Sequence, residues 1–447
     1  MTGEEITKIL EKVIEDKVKF VQLQFIDIHG SIKSVSIPVK LLESALNDGV
    51  WFDGSSIQGF TRICESDMYL KPDPKTYAVL PWVPDERKVA RFICDIYTPD
   101  GKPFEGDPRY ILKKALKEAE DLGFKYNVGP ELEFFLFKLN EDGSISQKPN
   151  DNAGYFDYSP RDLADNVRSD IINAIELLGL EVETSHHEVA PGQHEISFKY
   201  GDALTQADRC MSFKHAAKSI ALQHGLFASF MPKPIFGENG SGMHVHQSLF
   251  SLEGNNVFFD ENGDHKLSKT AKSFIAGQLK HIKEISAIVA PTINSYKRLV
   301  PGYEAPVYIC WAQVNRSALI RVPRYTLGKE QATRVELRCP DPSCNPYLAF
   351  ASMLKAGLKG IKENLEVAQA IEEDVYEFDK SKLEEHNIDT LPASLGEAIS
   401  ALRESELAKE TLGEHSFKVY LAAKESEYDE YRLQVTPWEI KKYLETT

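Results

Sequence analysis

Residues 129–137 read Gly129-Pro130-Glu131-Leu132-Glu133-Phe134-Phe135-Leu136-Phe137, an aromatic run interrupted by two glutamates two positions apart. Such a run reads as a buried strand. Strand side chains alternate between faces, so both carboxylates project on the same side. Burying two like charges side by side is costly unless a cation neutralises them. The plain alternative is a solvated strand face, which fits an apolar run poorly. A sheet with an acidic, cation-seeking face is therefore the expectation.

Three other segments carry the same kind of signal. His186-His187-Glu188-Val189-Ala190-Pro191-Gly192-Gln193-His194-Glu195 adds two carboxylates across a Pro-Gly turn, although alone it reads equally well as an exposed acidic loop. Gly237-Glu238-Asn239-Gly240-Ser241-Gly242-Met243-His244-Val245-His246-Gln247-Ser248 is a glycine-rich loop running into a strand, with His244, His246 and Ser248 alternating onto one face. Arg334-Val335-Glu336-Leu337-Arg338 sets a carboxylate between two guanidiniums, an arrangement that also suits a structural ion pair. Together the segments offer one histidine and five glutamates, a donor set too rich in oxygen for structural zinc and suited to Mg²⁺ or Mn²⁺. The arginines suit phosphate or carboxylate, which they grip bidentately. Hard cations beside arginines point to phosphoryl transfer. The sequence has no GxxxxGK[ST], HRD or GxGxxG motif, so the nucleotide site is of another kind.

Around these segments the chain divides in two. An amphipathic helix is expected over 5–17, then a hairpin from the alternating Val21-Gln22-Leu23-Gln24-Phe25 through His29-Gly30 into Ile32–Ile37. More strand is expected at Thr76–Leu80 and Val89–Ile96. The Pro/Gly-rich passage Thr98-Pro99-Asp100-Gly101-Lys102-Pro103 marks the boundary between domains 1–103 and 104–447. Beyond it, Asp107-Pro108 opens a helix that Gly123 closes, and Ser159-Pro160 opens another ending near Gly179. Helical periodicity returns at about 203–224, 268–290 and 345–362, with short strands between, the pattern of an α+β catalytic domain. The tail from Thr436 to Leu444 reads as a capped helix with an apolar stripe.

Bulk properties narrow the function. A length of 447 residues calls for more than one domain, and 42% apolar with 27% charged residues is a globular balance. The net charge of −16 argues against nucleic-acid and anionic-membrane binding. Metals and a few arginines can still reverse the field within a pocket, so anionic small substrates stay open. MTGEEITKIL lacks the features of a signal peptide, and no apolar run is long enough to span a bilayer. Six cysteines without CxxC spacing read as reduced thiols, so a cytoplasmic location is expected.

Asp53-Gly54-Ser55-Ser56, the strand 129–135, the turn 186–195, the loop 237–246, Lys297-Arg298-Leu299-Val300-Pro301-Gly302-Tyr303-Glu304-Ala305-Pro306-Val307 and Arg334–Pro342 resemble, in order, the signatures of type I glutamine synthetases. The resemblance covers nearly the whole chain. It implies a small β-grasp-like N-terminal domain and a large catalytic domain with a curved antiparallel sheet and surrounding helices. It implies that Glu133, Glu188 and Glu195 hold one divalent cation and that Glu131, His244 and Glu336 hold a second, with further ions accompanying nucleotide. His246, Ser248, Arg316, Arg321 and Arg334 would contact ATP or its phosphates; Asn239, Gly240, Arg298 and Arg338 would contact glutamate. Asp53, Ser56 and Tyr155 would form the ammonium site, with Asp53, Glu304 and Arg316 catalytic. The implied activity is ATP-dependent ligation of glutamate and ammonia through γ-glutamyl phosphate, in nitrogen assimilation. The implied assembly is a dodecamer of two stacked hexamers, open to a PII-type or other regulatory protein. Another γ-glutamyl amine ligase, or an inactive regulatory relative, would share much of this pattern.

The adenylylated subtype sets its modified tyrosine among prolines. Asp374-Val375-Tyr376-Glu377-Phe378-Asp379 lacks them, so Tyr376 is expected to stay unmodified. The 186–195 turn resembles instead that of the feedback-inhibited alpha subtype, whose feedback arginine falls at Arg62; a surface ion pair is the plain reading of that residue.

Overall fold

The alternation at Val21–Phe25 does form an inner strand of the first sheet in the computed structural model, which describes residues 3–55, 57 and 67–447. Helix α1 (Gly3–Glu15) leads into β1 (Phe20–Ile26), and β2 (Ile32–Pro38) returns antiparallel with Ile26 opposite Ile32. Asp27 Oδ1 accepts the amides of His29 and Ser31, and Gly30 takes φ +81°, which closes the turn. Helix α2 (Leu42–Asp48), β3 (Val50–Asp53), β4 (Asp67–Pro72), β5 (Ala78–Val79) and β6 (Val89–Tyr97) follow. The sheet order is β2-β1-β6-β4-β3, with β5 on β6 and β1 parallel to β6. Val21, Leu23 and Phe25 face a core shared with Ile6, Val13 and Leu42. The strand expected at 76–80 shrinks to β5 because Asp73 caps a 3₁₀ turn at Pro74–Thr76.

Helix α3 (Pro108–Asp121) opens the second unit with the expected caps, Asp107 accepting the Arg109 amide and Gly123 at φ +85°. The spine of the large sheet is β7 (Phe124–Leu139), the strand that holds Glu131 and Glu133. Then come β8 (Ile145–Pro149), α4 (Asp165–Leu177), β9 (Val182–His187), β10 (Gln193–Phe198), β11 (Gly201–Asp202), α5 (Ala203–Gln223), β12 (Leu226–Ser229) and β13 (Met243–Ser251). Helices α6 (Lys269–Val289) and α7 (Ser295–Arg298) precede β14 (Tyr308–Ala312), β15 (Ala318–Arg321) and β16 (Val335–Leu337). Helices α8 (Pro346–Lys362), α9 (Lys380–Glu385), α10 (Leu395–Arg403), α11 (Glu406–Arg432) and α12 (Pro437–Tyr443) complete the chain. The sheet runs β14-β15-β16-β13-β7-β10-β9, with β8, β11 and β12 also on β7.

Three expectations need correction. The large sheet is mixed, because β14 and β15 are parallel. Within their connection, the Asn315 amide donates to the carbonyls of Ile371 and Glu373. Helix α4 begins at Asp165 rather than Ser159: the amides of Arg161 and Asp162 both return to the Tyr158 carbonyl, forming a turn there instead. The first helix spans Gly3–Glu15 rather than 5–17.

Two features fix the frame of the site. The side chain of Arg109, 2% exposed, reaches Asp73 at 2.7 Å and Asp95 at 2.6 Å in the first unit and Asp208 of α5 at 3.0 Å in the second. Helices α6 and α8 pack against each other through Gly277 and Gly360; a Cβ on Gly277 would meet the Ala356 carbonyl at 2.3 Å. At the far end, α12 has a full capping box between Thr436 and Glu439, yet none of its residues is buried. Its apolar stripe faces outward, with Trp438 62% and Leu444 73% exposed. Among the described residues no helix is long and apolar enough to cross a membrane.

Candidate active site

The register of β7 with its neighbours assembles the site. His244 of β13 lies opposite Glu131, and Glu195 of β10 opposite Glu133. On the far side of β13, Glu336 of β16 stands opposite His246 and, across its other edge, opposite Arg321 of β15. Directly opposed strand residues sit about 5 Å apart, so this pairing alone gathers four carboxylates, two imidazoles and a guanidinium on one face. Glu188 joins them because the Ala190-Pro191-Gly192 turn folds β9 back beside β10, the Glu188 amide donating to the Gln193 carbonyl at 2.7 Å.

A cavity of about 380 Å³ opens over this face. The five glutamates 131, 133, 188, 195 and 336 and His244 form one wall. Arg298, Arg316, Arg321 and Arg338 line the cavity too, with Asn239, Gly240, Tyr155 and Glu304. Arg321 Nη1 donates to Glu336 at 2.7 Å. Arg338 Nε lies 3.3 Å from Glu336, while its buried Nη1 has no hydrogen-bond partner among the described residues. That guanidinium is a ready receiver for a carboxylate oxygen. Arg298 differs: its guanidinium donates to the carbonyls of Arg338 at 3.0 Å and Cys339 at 2.9 Å, shaping the wall as well as lining it.

The acidic wall is electrostatically incomplete. Burial, reinforced by Glu188 and Glu195, holds Glu133 well above the usual carboxylate range. Burial with Glu131 and Glu188 raises Glu195 to about 7. A hard divalent cation is the group that would relieve this repulsion, and an oxygen-rich donor set suits it. Gln193 Nε2 and the Gly242 amide already donate to Glu133 Oε2, at 2.9 and 3.0 Å, orienting that carboxylate. At the other end burial is outweighed by His246, His244, Arg338 and Arg321, which together bring Glu336 down to about 2.

Two groups near these cavities could hold a metal ion: Glu131, His246 and Glu336, and His186, Glu188 and Glu195. Each exchanges one member of the expected sets, and hydrogen bonding explains why. His246 Nδ1 faces the Arg334 Nε–H at 3.2 Å and therefore accepts, so its Nε2 carries the proton toward Glu131 at 2.9 Å. It keeps no lone pair for a cation. His244, 3.6 Å from Glu336 and 3.9 Å from Glu131, is pushed down to about 3 by burial and by Arg338, so its imidazole is neutral and free to ligate. His186 lies 2.8 Å from Glu188 and is raised, against burial, by that hydrogen bond.

A second cavity of about 230 Å³ lies on the other side of Glu131 and His246. Ser248 and Arg334 line it, together with Asn127, Tyr200 and Thr333. Thr333 Oγ1 is buried there without a hydrogen-bond partner among the described residues, another position that a polar ligand would satisfy.

Not every expected residue gathers here. Asp53 ends β3, exposed, with its Oδ1 accepting the Ser55 amide at 2.8 Å, and it lines neither of these two cavities. Ser56 and Arg62 lie outside the described residues. Sequence reading missed His186, whose spacing two before Glu188 was the available signal, and Gln193, which no local pattern distinguishes. It also missed a buried network behind the hairpin, in which Asp151, His187 and His194 converge. There burial is overcome by the His187 hydrogen bond, which with the Leu163 amide holds Asp151 well below the usual carboxylate range.

Comparison with known proteins gives consistent matches. Residues 105–443 match the family described as glutamine synthetase, catalytic domain, and residues 17–99 the glutamine synthetase beta-Grasp domain. A glutamine synthetase of Methanosarcina mazei is 56% identical over 436 residues, covering 98% of this chain and 97% of its own. Those of Clostridium saccharobutylicum and Halobacterium salinarum are 55% and 50% identical, each covering 98% of this chain and 98% and 96% of their own. Among solved structures, a GmaS–ADP complex superposes with a TM-score of 0.88 at 33% identity, covering 98% of this chain and 99% of its own.

Proposed function

The chain belongs to the glutamine synthetase family, and from that premise we propose how its residues carry out the ATP-dependent ligation of glutamate and ammonia. The observation that carries the reading is one cavity in which five glutamates and His244 face Arg316, Arg321 and Arg338, next to a second cavity across Glu131. Glu133, Glu188 and Glu195 would hold one divalent cation and Glu131, His244 and Glu336 another. Bound Mg²⁺ or Mn²⁺ supplies neutralisation of phosphoryl charge.

ATP occupies the smaller cavity, its phosphates near His246, Ser248 and Arg334. Glutamate enters the larger one, with a carboxylate on Arg338 and its amino end near Asn239 and Gly240, on a wall that Arg298 shapes. The glutamate γ-carboxylate attacks the terminal phosphorus, the bond to the ADP oxygen breaks, and Arg316 and Arg321 offset charge on the transferring group. Tyr155 and Glu304 face the ammonium side, and Asp53 with Ser56 of the partner subunit completes it. Asp53 takes a proton from ammonium. Ammonia then adds to the acyl carbon and phosphate departs. Glu304 accepts the remaining proton and keeps water from the acyl phosphate. That Asp53 is exposed and lines neither of the two cavities described above supports a site shared between subunits.

The exposed apolar stripe of α12 supports a docked tail, and with it a dodecamer of two stacked hexamers. We place the domain boundary at 103 and the protein in the cytoplasm. We assign it to the feedback-inhibited alpha subtype, with Tyr376 unmodified and Arg62 the feedback arginine. The Tyr376 hydroxyl donates to the Ala305 carbonyl beside Glu304, so a nucleotide there would break an existing contact. An Arg62→Ala enzyme as glutamine-sensitive as the wild type, or a nucleotide mass on Tyr376, would refute that assignment. The activity itself is tested by phosphate release from Mg·ATP and glutamate with ammonium, putrescine or ethanolamine. Ammonium-dependent release with glutamine as product is expected; turnover only with a bulkier amine would overturn the amine assignment.

A further inference from the structure

Behind the acidic wall, Asp151, His187 and His194 lie close enough to suggest a third metal site. Their hydrogen bonds exclude it. Arg168 Nη1 donates to His194 Nδ1 at 3.0 Å, which puts a guanidinium where a cation would approach. Both nitrogens of His187 face oxygens, Nδ1 the Glu188 carbonyl at 2.7 Å and Nε2 Asp151 Oδ1 at 3.0 Å, so both donate and no lone pair is left.

The cluster is instead a junction centred on one carboxylate. Asp151 Oδ1 accepts from His187, from the Gly192 amide at 3.1 Å and from the Ala153 amide at 3.3 Å. Oδ2 accepts from the Leu163 amide at 3.1 Å and from Asn150 Nδ2 at 2.9 Å. Ala153 and Leu163 are the two ends of the loop that presents Tyr155. Gly192 is the tip of the hairpin that presents Glu188 and Glu195. His187 carries the link onward to the Glu188 carbonyl. The loop closes on the hairpin a second time, where the Phe156 amide donates to the His187 carbonyl at 3.1 Å and the Tyr155 ring meets His186 edge-on. Tyr155, Glu188 and Glu195 all line the same cavity.

We propose that Asp151 is a positioning residue for the amine: its carboxylate fastens the Tyr155 loop to the Glu188–Glu195 hairpin, so that the ammonium side and the acidic wall keep one fixed geometry. The proposal rests on the assignment of Tyr155 to the ammonium side. A charged acceptor is needed because two oxygens here take five donors, two from the ends of the loop and three from outside it, and an amide could serve only one side.

The test is Asp151→Asn in the full-length assembled protein, assayed for glutamine and for phosphate in parallel. Loosening a positioned group by under an ångström is costly, so the KM for ammonium should rise about tenfold or more while those for glutamate and ATP stay within about twofold. Phosphate released without glutamine should increase, because the acyl phosphate waits longer for its amine. Unchanged KM for ammonium with only a lower kcat or a lower melting temperature would overturn the proposal and leave a structural role. So would a third equivalent of bound metal in the wild type that is lost in the variant. Should the variant fail to assemble, hydrogen exchange on the wild type decides. The Ala153, Leu163 and Gly192 amides should open together, and a loop exchanging about a hundredfold faster than the hairpin would overturn the proposal. Glutamine production by the wild type is the separate control on the functional reading.

Discussion

Removing divalent metal should expose a proton that rebinding must displace. With burial, Glu131 and Glu188 holding Glu195 at about 7, that group is about three-quarters protonated at pH 6.5 and about one-tenth at pH 8. Burial, with Glu188 and Glu195 beside it, raises Glu133 as well. Metal saturation at pH 6.5 should therefore release about three-quarters of a proton from Glu195 alone, and the apparent affinity should fall about tenfold per unit of pH below 7 for each proton displaced. Titration calorimetry in two buffers of equal pH and different ionisation enthalpy reads the number directly. Heats independent of buffer at pH 6.5 would sink the argument. The same shift bears on stability. A carboxyl raised from 4.5 to about 7 in the fold stabilises the metal-free protein fully below 4.5, and that contribution, about 3 kcal/mol, is lost as pH rises through about 7. His244, lowered to about 3, works in the opposite sense up to its ordinary value. Only the difference between wild type and Glu195→Gln is therefore diagnostic, and it should vanish once metal is saturating.

Arg109→Met leaves Asp95 and Asp208 without their shared cation between the two units, and should cost about 3–5 kcal/mol in unfolding by urea or heat. A loss under about 1 kcal/mol would show that the remaining contacts suffice. Arg321→Met removes the donor 2.7 Å from Glu336 and should lower kcat about 10²–10³-fold, with ADP affinity in calorimetry nearly unchanged; equal loss in both would place Arg321 in binding alone. Deleting residues 434–447 removes the exposed Trp438, Ile440 and Leu444. Light scattering should then show half-size rings that keep their melting temperature, whereas an intact dodecamer would assign the tail another role.

Much of the site was legible because each ligand segment breaks a local rule. Glutamates at 131 and 133 in an aromatic strand, and histidines at 244 and 246 after a glycine loop, conflict with burial unless something binds them, and conflict of that kind marks function. The pairing that brings them together was not legible: Glu131 meets His244, and His246 meets Glu336, through registers set between segments far apart in the chain. Gln193 and Asp151 escaped for a related reason. Neither violates its local pattern, and their work is to accept or donate across the fold. The start of α4 was misplaced because Ser-Pro is as good a turn opener as a helix opener, and the Tyr158 carbonyl settles the choice only through its tertiary setting. Asp53 shows the remaining limit. Its own chain leaves it exposed at a strand end, and a role completed by another subunit leaves no mark in local periodicity.

The two histidines on β13 show how such a strand divides labour. They sit two residues apart on one face, and spacing gives no ground for choosing the ligand between them. Arg334 decides it. By donating to His246 Nδ1 it fixes that ring as a donor to Glu131, which aligns the carboxylate and spends the lone pair. His244 has Arg338 nearby instead, which disfavours protonation without occupying a nitrogen. Removing Arg334 should thus do more than weaken a phosphate contact. It frees His246 to compete for the cation and lets Glu131 turn, so Arg334→Gln should raise the metal requirement as well as the KM for ATP. A change in the ATP term alone would mean that Glu131 is held by something other than His246.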